Sequence, residues 1–246
     1  MQNNGKAKFV GALRSFIASF KRTMFPEGYV CLGCGKELRS EFRDQSLCPE
    51  CLEALPFKTG KTCAICGTNI YVGRLCRRCS AFTPEFDRAV APFNYNGLAR
   101  KFVLDLKIGG KVFLARYMAD YMANYIKGLQ LKFDLVTAVP STKKTLRQRG
   151  FDHTELIAAE FSELVEMPYQ KLLLRTKHKL DQSRLSFTDR FNAVKGNFSA
   201  MPETDLSEKT VLLIDDILTS GATASECAAV LKKQGAKRVY VLTFAR

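Results

Sequence analysis

Residues 211–223 read Val-Leu-Leu-Ile-Asp-Asp-Ile-Leu-Thr-Ser-Gly-Ala-Thr, and this stretch decides the fold. Four consecutive apolar residues open it, which is typical of a strand buried on both faces of a parallel sheet. A helical pattern follows as far as Gln234, and Gly235 is a natural stop for that helix. The order strand, loop, helix predicts an α/β domain that binds its ligand at the carboxyl end of the strand.

Two carboxylates, Asp215 and Asp216, follow the apolar residues, and a small hydroxyl-rich loop at residues 219–223 follows them. The amides and hydroxyls of such a loop can surround a phosphate at a helix N-terminus. Adjacent carboxylates repel a phosphate unless they face sugar hydroxyls or Mg²⁺. A phosphorylated ribose meets both requirements. The alternative is an unrelated strand, turn and helix, but the sequence has no Gly-x-x-x-x-Gly-Lys-Ser/Thr segment of a P-loop ATPase.

The stretch resembles the phosphoribosyl pyrophosphate motif of type I phosphoribosyltransferases. That resemblance implies that Asp215 and Asp216 form the catalytic pair and hold the ribose 2′- and 3′-hydroxyls. The 5′-phosphate site that it implies comprises Thr219, Ser220, Gly221, Ala222 and Thr223. It also implies that phosphoribosyl pyrophosphate binds together with Mg²⁺.

A basic segment at residues 140–153 follows a second buried-strand pattern at residues 135–139. We expect it to be a loop that runs into a helix ending near Val165. Four of its residues are cations within seven positions, namely Lys143, Lys144, Arg147 and Arg149. They suit a pyrophosphate or a nucleic-acid backbone, and a solvated charged loop is the alternative.

Strand and helix patterns alternate through the rest of this part of the chain. Strands are predicted at residues 87–95, 172–174 and 239–244, and helices at residues 97–106 and 111–126. Alternation of this kind predicts a parallel sheet flanked by helices, here of the type I phosphoribosyltransferase kind.

Eight of the nine cysteines form four Cys-x-x-Cys pairs: Cys31 and Cys34, Cys48 and Cys51, Cys63 and Cys66, Cys76 and Cys79. Two such pairs can complete one tetrahedral metal site. The second set of four repeats the first, which favours two consecutive zinc ribbons with closed, structural ions, although an interleaved pairing also fits. Iron-sulfur clusters and disulfides are the other uses of such cysteines. Cys227 stands alone in a predicted helix and reads as an inert buried thiol.

The net charge favours polyanionic partners, and the N-terminal sequence favours a protein of the cytoplasm. The 246 residues carry a formal net charge of +14, which fits nucleic acid, phosphate ligands or anionic lipid. The most apolar N-terminal stretch, residues 9–25, is interrupted by three cations and lacks a signal-peptide cleavage pattern, so it predicts no membrane span. Its apolar residues recur at helical spacing, which predicts an amphipathic helix for packing, partner binding or membrane-surface contact.

The order of these motifs resembles the ComF competence family, of the ComFC kind: a double zinc ribbon, then Arg-x-Arg-Gly-Phe, then the ribose-phosphate stretch. We therefore expect a double zinc ribbon in residues 1–86 and a phosphoribosyltransferase-like domain in residues 87–246. The family usually continues its Arg-Gly-Phe with Asn-Gln, whereas this chain has Asp152 and His153, and we expect His153 to lie on the surface at a helix start. A segment at residues 177–192 resembles the family at the place where phosphoribosyltransferases carry a mobile loop, and an ordinary surface loop is the alternative.

The resemblance implies a function in natural transformation. It implies that the protein handles incoming single-stranded DNA during competence DNA uptake, beside a helicase-like partner. Two other hypotheses are a genuine phosphoribosyltransferase, which transfers ribose 5-phosphate to a nucleobase or amine, and an interaction scaffold with a vestigial ligand site. Since one fold serves both binding and catalysis, the motifs alone leave open whether the protein is an enzyme.

Overall fold

The computed structural model describes residues 30–42, 46–176 and 187–246. The predicted amphipathic helix near the start of the chain and residues 177–186 of the predicted mobile loop lie outside this range. The strands are β1 Arg88–Val90, β2 Leu135–Ala138, β3 Leu173–Arg175, β4 Phe198–Ala200, β5 Thr210–Ile217 and β6 Arg238–Ala245. The helices are α1 Pro49–Glu53, α2 Arg77–Ala81, α3 Gly97–Lys107, α4 Leu114–Lys127, α5 Lys143–Arg149, α6 His153–Val165, α7 Phe187–Val194 and α8 Ala222–Lys233.

Four of the strands form a parallel sheet in the order β1-β6-β5-β2. β5 lies inside the sheet, where Val211 pairs with Leu135 of β2 and with Val239 of β6. All four apolar residues at 211–214 are fully buried, as their pattern predicts. The predicted fold class, a parallel α/β sheet flanked by helices beside two zinc-ribbon cysteine clusters, is confirmed.

Side chains from alternate positions of β5 reach the two faces of the sheet. Val211 and Leu213 belong to a core that includes Cys227 and Leu231 of α8. Cys227 is fully buried there, and burial raises its pKa well above the usual value, so the thiol stays protonated. The interpretation of Cys227 as a packed thiol agrees with this position.

The basic segment at residues 143–149 is a helix, α5, and the prediction of a loop is wrong. Thr142 begins the helix, because its hydroxyl oxygen accepts a hydrogen bond from the amide of Thr145 at 3.0 Å. Gly150 ends it in the left-handed conformation, with φ of 79°. Both capping signals are present in the sequence, but the run of charge obscured them.

The contacts of the chain divide it into two compact units, and the division falls between Leu55 and Pro56 in the sequence. The second cysteine cluster therefore belongs to the same unit as the sheet. The boundary predicted between residues 86 and 87 separates two parts that we expect to fold independently of each other, and it stays a prediction. In the described part of the chain, the helices lack the combined length and hydropathy of a membrane span.

Candidate functional site

The carboxyl end of β5 leads into residues 219–223, which keep the name of the 219–223 loop although Ala222 and Thr223 are already the first residues of α8. Gly221 precedes the helix with φ of 84°, a left-handed conformation that favours glycine. A solvent-open cavity lies here, with walls formed by Asp215 and residues 217–224. Because the first amides of a helix have no partner within it, this cavity offers N–H donors to an anion. The structure thus brings Asp215 and the five predicted phosphate residues to one cavity.

Asp215 and Asp216 are neighbours near the end of β5, but their surroundings differ. Asp215 is half-buried and lines the cavity, whereas Asp216 is only 3% exposed. One oxygen of Asp216, Oδ2, lies 2.5 Å from Nζ of Lys107 and 3.3 Å from Nε2 of His153. Asp216 is therefore held by a cation and a ring N–H, while Asp215 faces the space that a ligand would fill.

The electrostatics separate the two carboxyls further. Burial acts to raise the pKa of Asp216, but the hydrogen bond from His153 and the charge of Lys107 outweigh it and hold this pKa well below its usual range. Burial, and then the negative charge of Asp216, raise the pKa of Asp215 well above its usual value. Of the pair, Asp216 therefore keeps its negative charge, whereas Asp215 is the carboxyl whose loss of a proton a bound cation would favour.

His153 is part of this site, and the prediction of a surface histidine is wrong. The residue begins α6 but is only 6% exposed. Asp152 before it caps the helix by accepting a hydrogen bond from the amide of Thr154 at 3.1 Å. With its ring proton on Nε2, His153 donates to Asp216 and accepts at Nδ1 from Arg149, 3.4 Å away.

One sequence signal could have located His153. It follows the neighbouring strand β2, and the carboxyl ends of adjacent parallel strands meet at one edge of a sheet. Lys107 has a weaker signal, since it is simply the basic residue of the last turn of α3. Nothing in the local pattern marks it as a partner of Asp216.

The cations of α5 divide between this site and the surface. Arg149 is half-buried and reaches His153, whereas Lys143, Lys144 and Arg147 are exposed. Among the described residues, no hydrogen bond or ion pair joins Lys143 or Arg147 to the 219–223 loop. Their exposure leaves them available to an anion from solution.

The eight paired cysteines form two clusters of four, and each cluster uses consecutive pairs. One contains Cys31, Cys34, Cys48 and Cys51, and the other contains Cys63, Cys66, Cys76 and Cys79. The sulfur atoms within each cluster lie within 4.8 Å of one another. The sequential pairing is therefore the one the chain adopts, not the interleaved alternative.

The clusters have the dimensions of a tetrahedral zinc site. Sγ of Cys34 lies 3.8 Å from Sγ of Cys48, and Cys66 and Cys76 are 3.7 Å apart. Four sulfurs about 2.3 Å from Zn²⁺ are separated by about 3.8 Å at the edges of the tetrahedron. The donor set thus fits structural zinc, which holds the ribbon together through four thiolates.

Backbone amides prepare the leading cysteine of each cluster to act as a thiolate. The amide of Cys48 donates to Sγ of Cys31, and that of Cys76 donates to Sγ of Cys63, both at 3.3 Å. Burial acts to raise the pKa of Cys31 and of Cys63, but backbone hydrogen bonds lower each to about 6. A thiolate is the form that binds metal.

Purified protein is expected to contain two zinc ions per chain, one for each cluster. Cys34→Ser should remove one ion, because three remaining thiolates hold zinc much more weakly than four. Cys227→Ser is the matched control and should keep both ions, since Cys227 lies outside the clusters. Metal analysis of the three proteins decides the point, and the visible absorption of an iron-sulfur cluster would contradict it.

Comparisons with known proteins cover both parts of the chain. Residues 20–80 match the model of the double zinc ribbon domain. Competence protein F of Haemophilus influenzae is 25% identical over 224 residues, which cover 88% of this chain and 96% of the relative. Competence protein ComFC of Streptococcus pneumoniae is 24% identical over 88% of this chain and 99% of the relative. The DNA utilization protein YhgH of Escherichia coli is 25% identical over 88% of this chain and 90% of the relative.

Solved structures of phosphoribosyltransferases are among those with some similarity to this chain. The glutamine phosphoribosylpyrophosphate amidotransferase from B. subtilis is 23% identical, with a TM-score of 0.36, over 52% of this chain and 26% of that chain. The adenine phosphoribosyltransferase from Leishmania tarentolae is 12% identical, with a TM-score of 0.35, over 56% and 58%. The competence relatives, by contrast, match nearly end to end. The resemblance to the ComF family is thus confirmed: residues 20–80 match the double zinc ribbon model, and the chain is similar to the competence F and ComFC proteins over most of its length.

Proposed function

We propose that this protein acts in natural transformation, where it handles single-stranded DNA in the cytoplasm and binds a phosphoribosyl pyrophosphate-type ligand. The proposal rests on the match to competence proteins over 88% of the chain. It rests also on the cavity at the start of α8, whose amides and hydroxyls suit a phosphate. The relatives support the biological role. The arrangement of Asp215 and the 219–223 loop supports the ligand class.

The ligand is expected to bind with its 5′-phosphate at the start of α8 and its ribose over Asp215. Phosphate oxygens accept hydrogen bonds from the loop amides and from the hydroxyls of Thr219, Ser220 and Thr223. The carboxylate of Asp215 accepts from ribose hydroxyls, and Asp216 fixes the strand end through Lys107 and His153. Mg²⁺ would bind with the pyrophosphate near Asp215 and neutralise its charge.

Calorimetry tests the ligand site directly. Zinc-loaded protein is titrated with phosphoribosyl pyrophosphate in the presence of Mg²⁺, with ribose 5-phosphate and pyrophosphate as separate probes. Binding of the complete ligand more tightly than either part supports the proposal, because both halves of the site then contribute. Equal binding of pyrophosphate alone would reduce the site to a general anion pocket.

The DNA-binding part of the proposal depends on exposed cations. The chain carries a net charge of +14, and α5 presents Lys143, Lys144 and Arg147 to solvent. Phosphates of single-stranded DNA bind such side chains and release counterions. A helicase-like partner, which the family resemblance implies, would present that strand to the protein.

Single-stranded DNA binding should weaken steeply as salt rises. For Lys143→Ala with Arg147→Ala, we expect the slope of log affinity against log salt to fall by about 1.4, at about 0.7 per phosphate contact. Lys132→Ala with Lys127→Ala, which also removes two exposed lysines, is the control and should leave the slope unchanged. Fluorescence anisotropy at several salt concentrations measures it, and equal slopes for the two variants would place the DNA elsewhere.

A second candidate function, phosphoribosyl transfer to a base or amine, is favoured by a neighbouring cavity. It shares Ser220 with the first cavity, and Phe82, Phe86 and Phe191 are among the residues that line it. A flat acceptor suits such walls. In the reaction, the acceptor nitrogen forms a bond to ribose C1 while the bond to pyrophosphate breaks, so release of pyrophosphate on adding an acceptor tests it.

A further inference from the structure

Arg246 joins the second cysteine cluster to the start of the 219–223 loop. One of its guanidinium nitrogens, Nη2, donates to Sγ of Cys66 at 3.1 Å, and the other, Nη1, donates to the carbonyl of Leu218 at 3.4 Å. Leu218 is the residue directly before the loop. A single planar side chain thus contacts a metal ligand on one side and the loop's entry on the other.

Hydrogen bonds fix the backbone of Arg246, so its side chain extends from a defined position. The amide of Arg246 donates to the carbonyl of Phe93 at 3.0 Å, and the amide of Tyr95 donates to the carbonyl of Arg246 at 2.8 Å. The amide of Leu218 donates in turn to the carbonyl of Ala245 at 3.1 Å. The end of β6 and the exit from β5 are therefore tied together by both backbone and side chain.

Packing under the loop comes from the same region of the chain. A Cβ placed on Gly221 would lie 3.5 Å from the ring of Phe86, so the loop backbone rests on that ring. Phe86 is 2% exposed and belongs to the hydrophobic cluster that contains Cys63, Cys66 and Cys79. The amide of Glu85 donates to the hydroxyl of Ser225 in the first turn of α8 at 3.0 Å.

The second ribbon also contacts the sheet through its backbone. The amide of Ala89 on β1 donates to the carbonyl of Ile65 at 2.6 Å. At Gly67, with φ of 65°, a Cβ would approach the carbonyl of Ala89 to 2.6 Å, so only glycine fits between the ribbon and the strand. The segment around Ile65 and Gly67 thus packs against β1, and this fixes the position of Cys66 beside Arg246.

We propose that the second cysteine cluster holds the 219–223 loop in its anion-binding conformation, with Arg246 as the positioning residue that connects them. Four thiolates and one Zn²⁺ leave a net charge of −2, which the guanidinium partly neutralises while it donates to the Leu218 carbonyl. Loss of this ion leaves the position of Cys66 unfixed. Arg246 then loses the hydrogen-bond partner that orients its side chain. The consequence for the ligand rests on the proposed function, but the consequence for the loop does not.

Hydrogen exchange of the loop amides tests the proposal in the full chain. Arg246→Gln should retain both zinc ions yet speed exchange by about tenfold or more at the hydrogen-bonded amides in and beside the loop, those of Leu218, Ala222 and Ser225, since it removes a charge-assisted hydrogen bond. Arg238→Gln is the matched control, an exposed arginine at the start of β6, and should leave exchange unchanged. Loop exchange in Arg246→Gln equal to that of the wild type would overturn the proposal.

A metal arm separates the two clusters. Cys79→Ser in the second cluster should lose one ion and speed loop exchange at least as much as Arg246→Gln. Cys51→Ser in the first cluster, which belongs to the other compact unit, should lose one ion and leave the loop unchanged. Equal effects of the two cysteine variants would overturn the role of the second cluster.

Ligand titration distinguishes this inference from the function on which it bears. If the wild type binds phosphoribosyl pyrophosphate, Arg246→Gln should weaken that binding by about tenfold. If the wild type binds none while the exchange differences remain, the proposed ligand is wrong and the role of Arg246 stands.

Discussion

Asp215→Asn is expected to weaken phosphoribosyl pyrophosphate binding by about 100-fold or more and, at the same time, to stabilise the fold. Each hydrogen bond from a ribose hydroxyl to a carboxylate contributes about 1.5–3 kcal/mol, and the amide replaces two of them poorly. The gain in stability arises because the variant removes a carboxyl whose ionisation is opposed by burial and by Asp216. Calorimetry and urea denaturation measure the two effects.

The pH dependence of that stability gain has a defined sign. Asp215 has a folded-state pKa above its unfolded value of about 3.9, so the wild type loses stability as the pH rises from about 4 towards the folded-state pKa. Asparagine does not titrate, and the advantage of the variant therefore grows with pH over this window. A variant that binds like the wild type, or is less stable at about pH 7, would contradict the assignment of Asp215 as the ligand-facing carboxyl.

Asp216→Asn, one position along the chain, is expected to lower the free energy of unfolding by about 3 kcal/mol. The change removes the carboxylate that pairs with Lys107 and His153 and leaves a largely buried cation without its partner. Because the folded-state pKa of Asp216 is depressed, its contribution is present above about pH 4 and is lost as the pH falls towards the folded-state value. Urea denaturation near neutral pH measures the loss.

Asp105→Asn is the control for this variant. Asp105 also pairs with two lysines, Lys101 at 2.8 Å and Lys111 at 3.0 Å, but those lysines are 43% and 47% exposed. Water screens such pairs, so the control should change stability by less than about 1 kcal/mol. If the two variants were equally stable, the pairing of Asp216 would count as a surface interaction and its proposed role in fixing the strand end would fail.

Local patterns predicted the elements that local interactions determine. The apolar run at residues 211–214 and the helix after it both follow from short-range rules on strands and helix ends. The two cysteine clusters were predictable for the same reason, because each Cys-x-x-Cys pair forms a local turn and the second set of pairs approximately repeats the first.

Partners that come together only through the fold were missed. Lys107 and Asp216 are 109 positions apart, and Cys66 and Arg246 are 180 apart. A lysine in a last helical turn or an arginine after a strand has many possible neighbours, and only the order of the strands selects one. His153 was misjudged because a helix start is usually exposed, whereas this one abuts the carboxyl end of β5.

The strand order has a consequence for how the protein is made. β1 lies at one edge of the sheet and pairs with β6. The first strand of the sheet therefore cannot form its hydrogen bonds to the sheet until the last strand has been synthesised. At translation rates of about 5–20 residues per second, the roughly 150 residues between them take roughly 8 to 30 s. During that interval the second ribbon lacks a finished sheet to rest on, and early capture of zinc would shield its four thiols from oxidation on the ribosome.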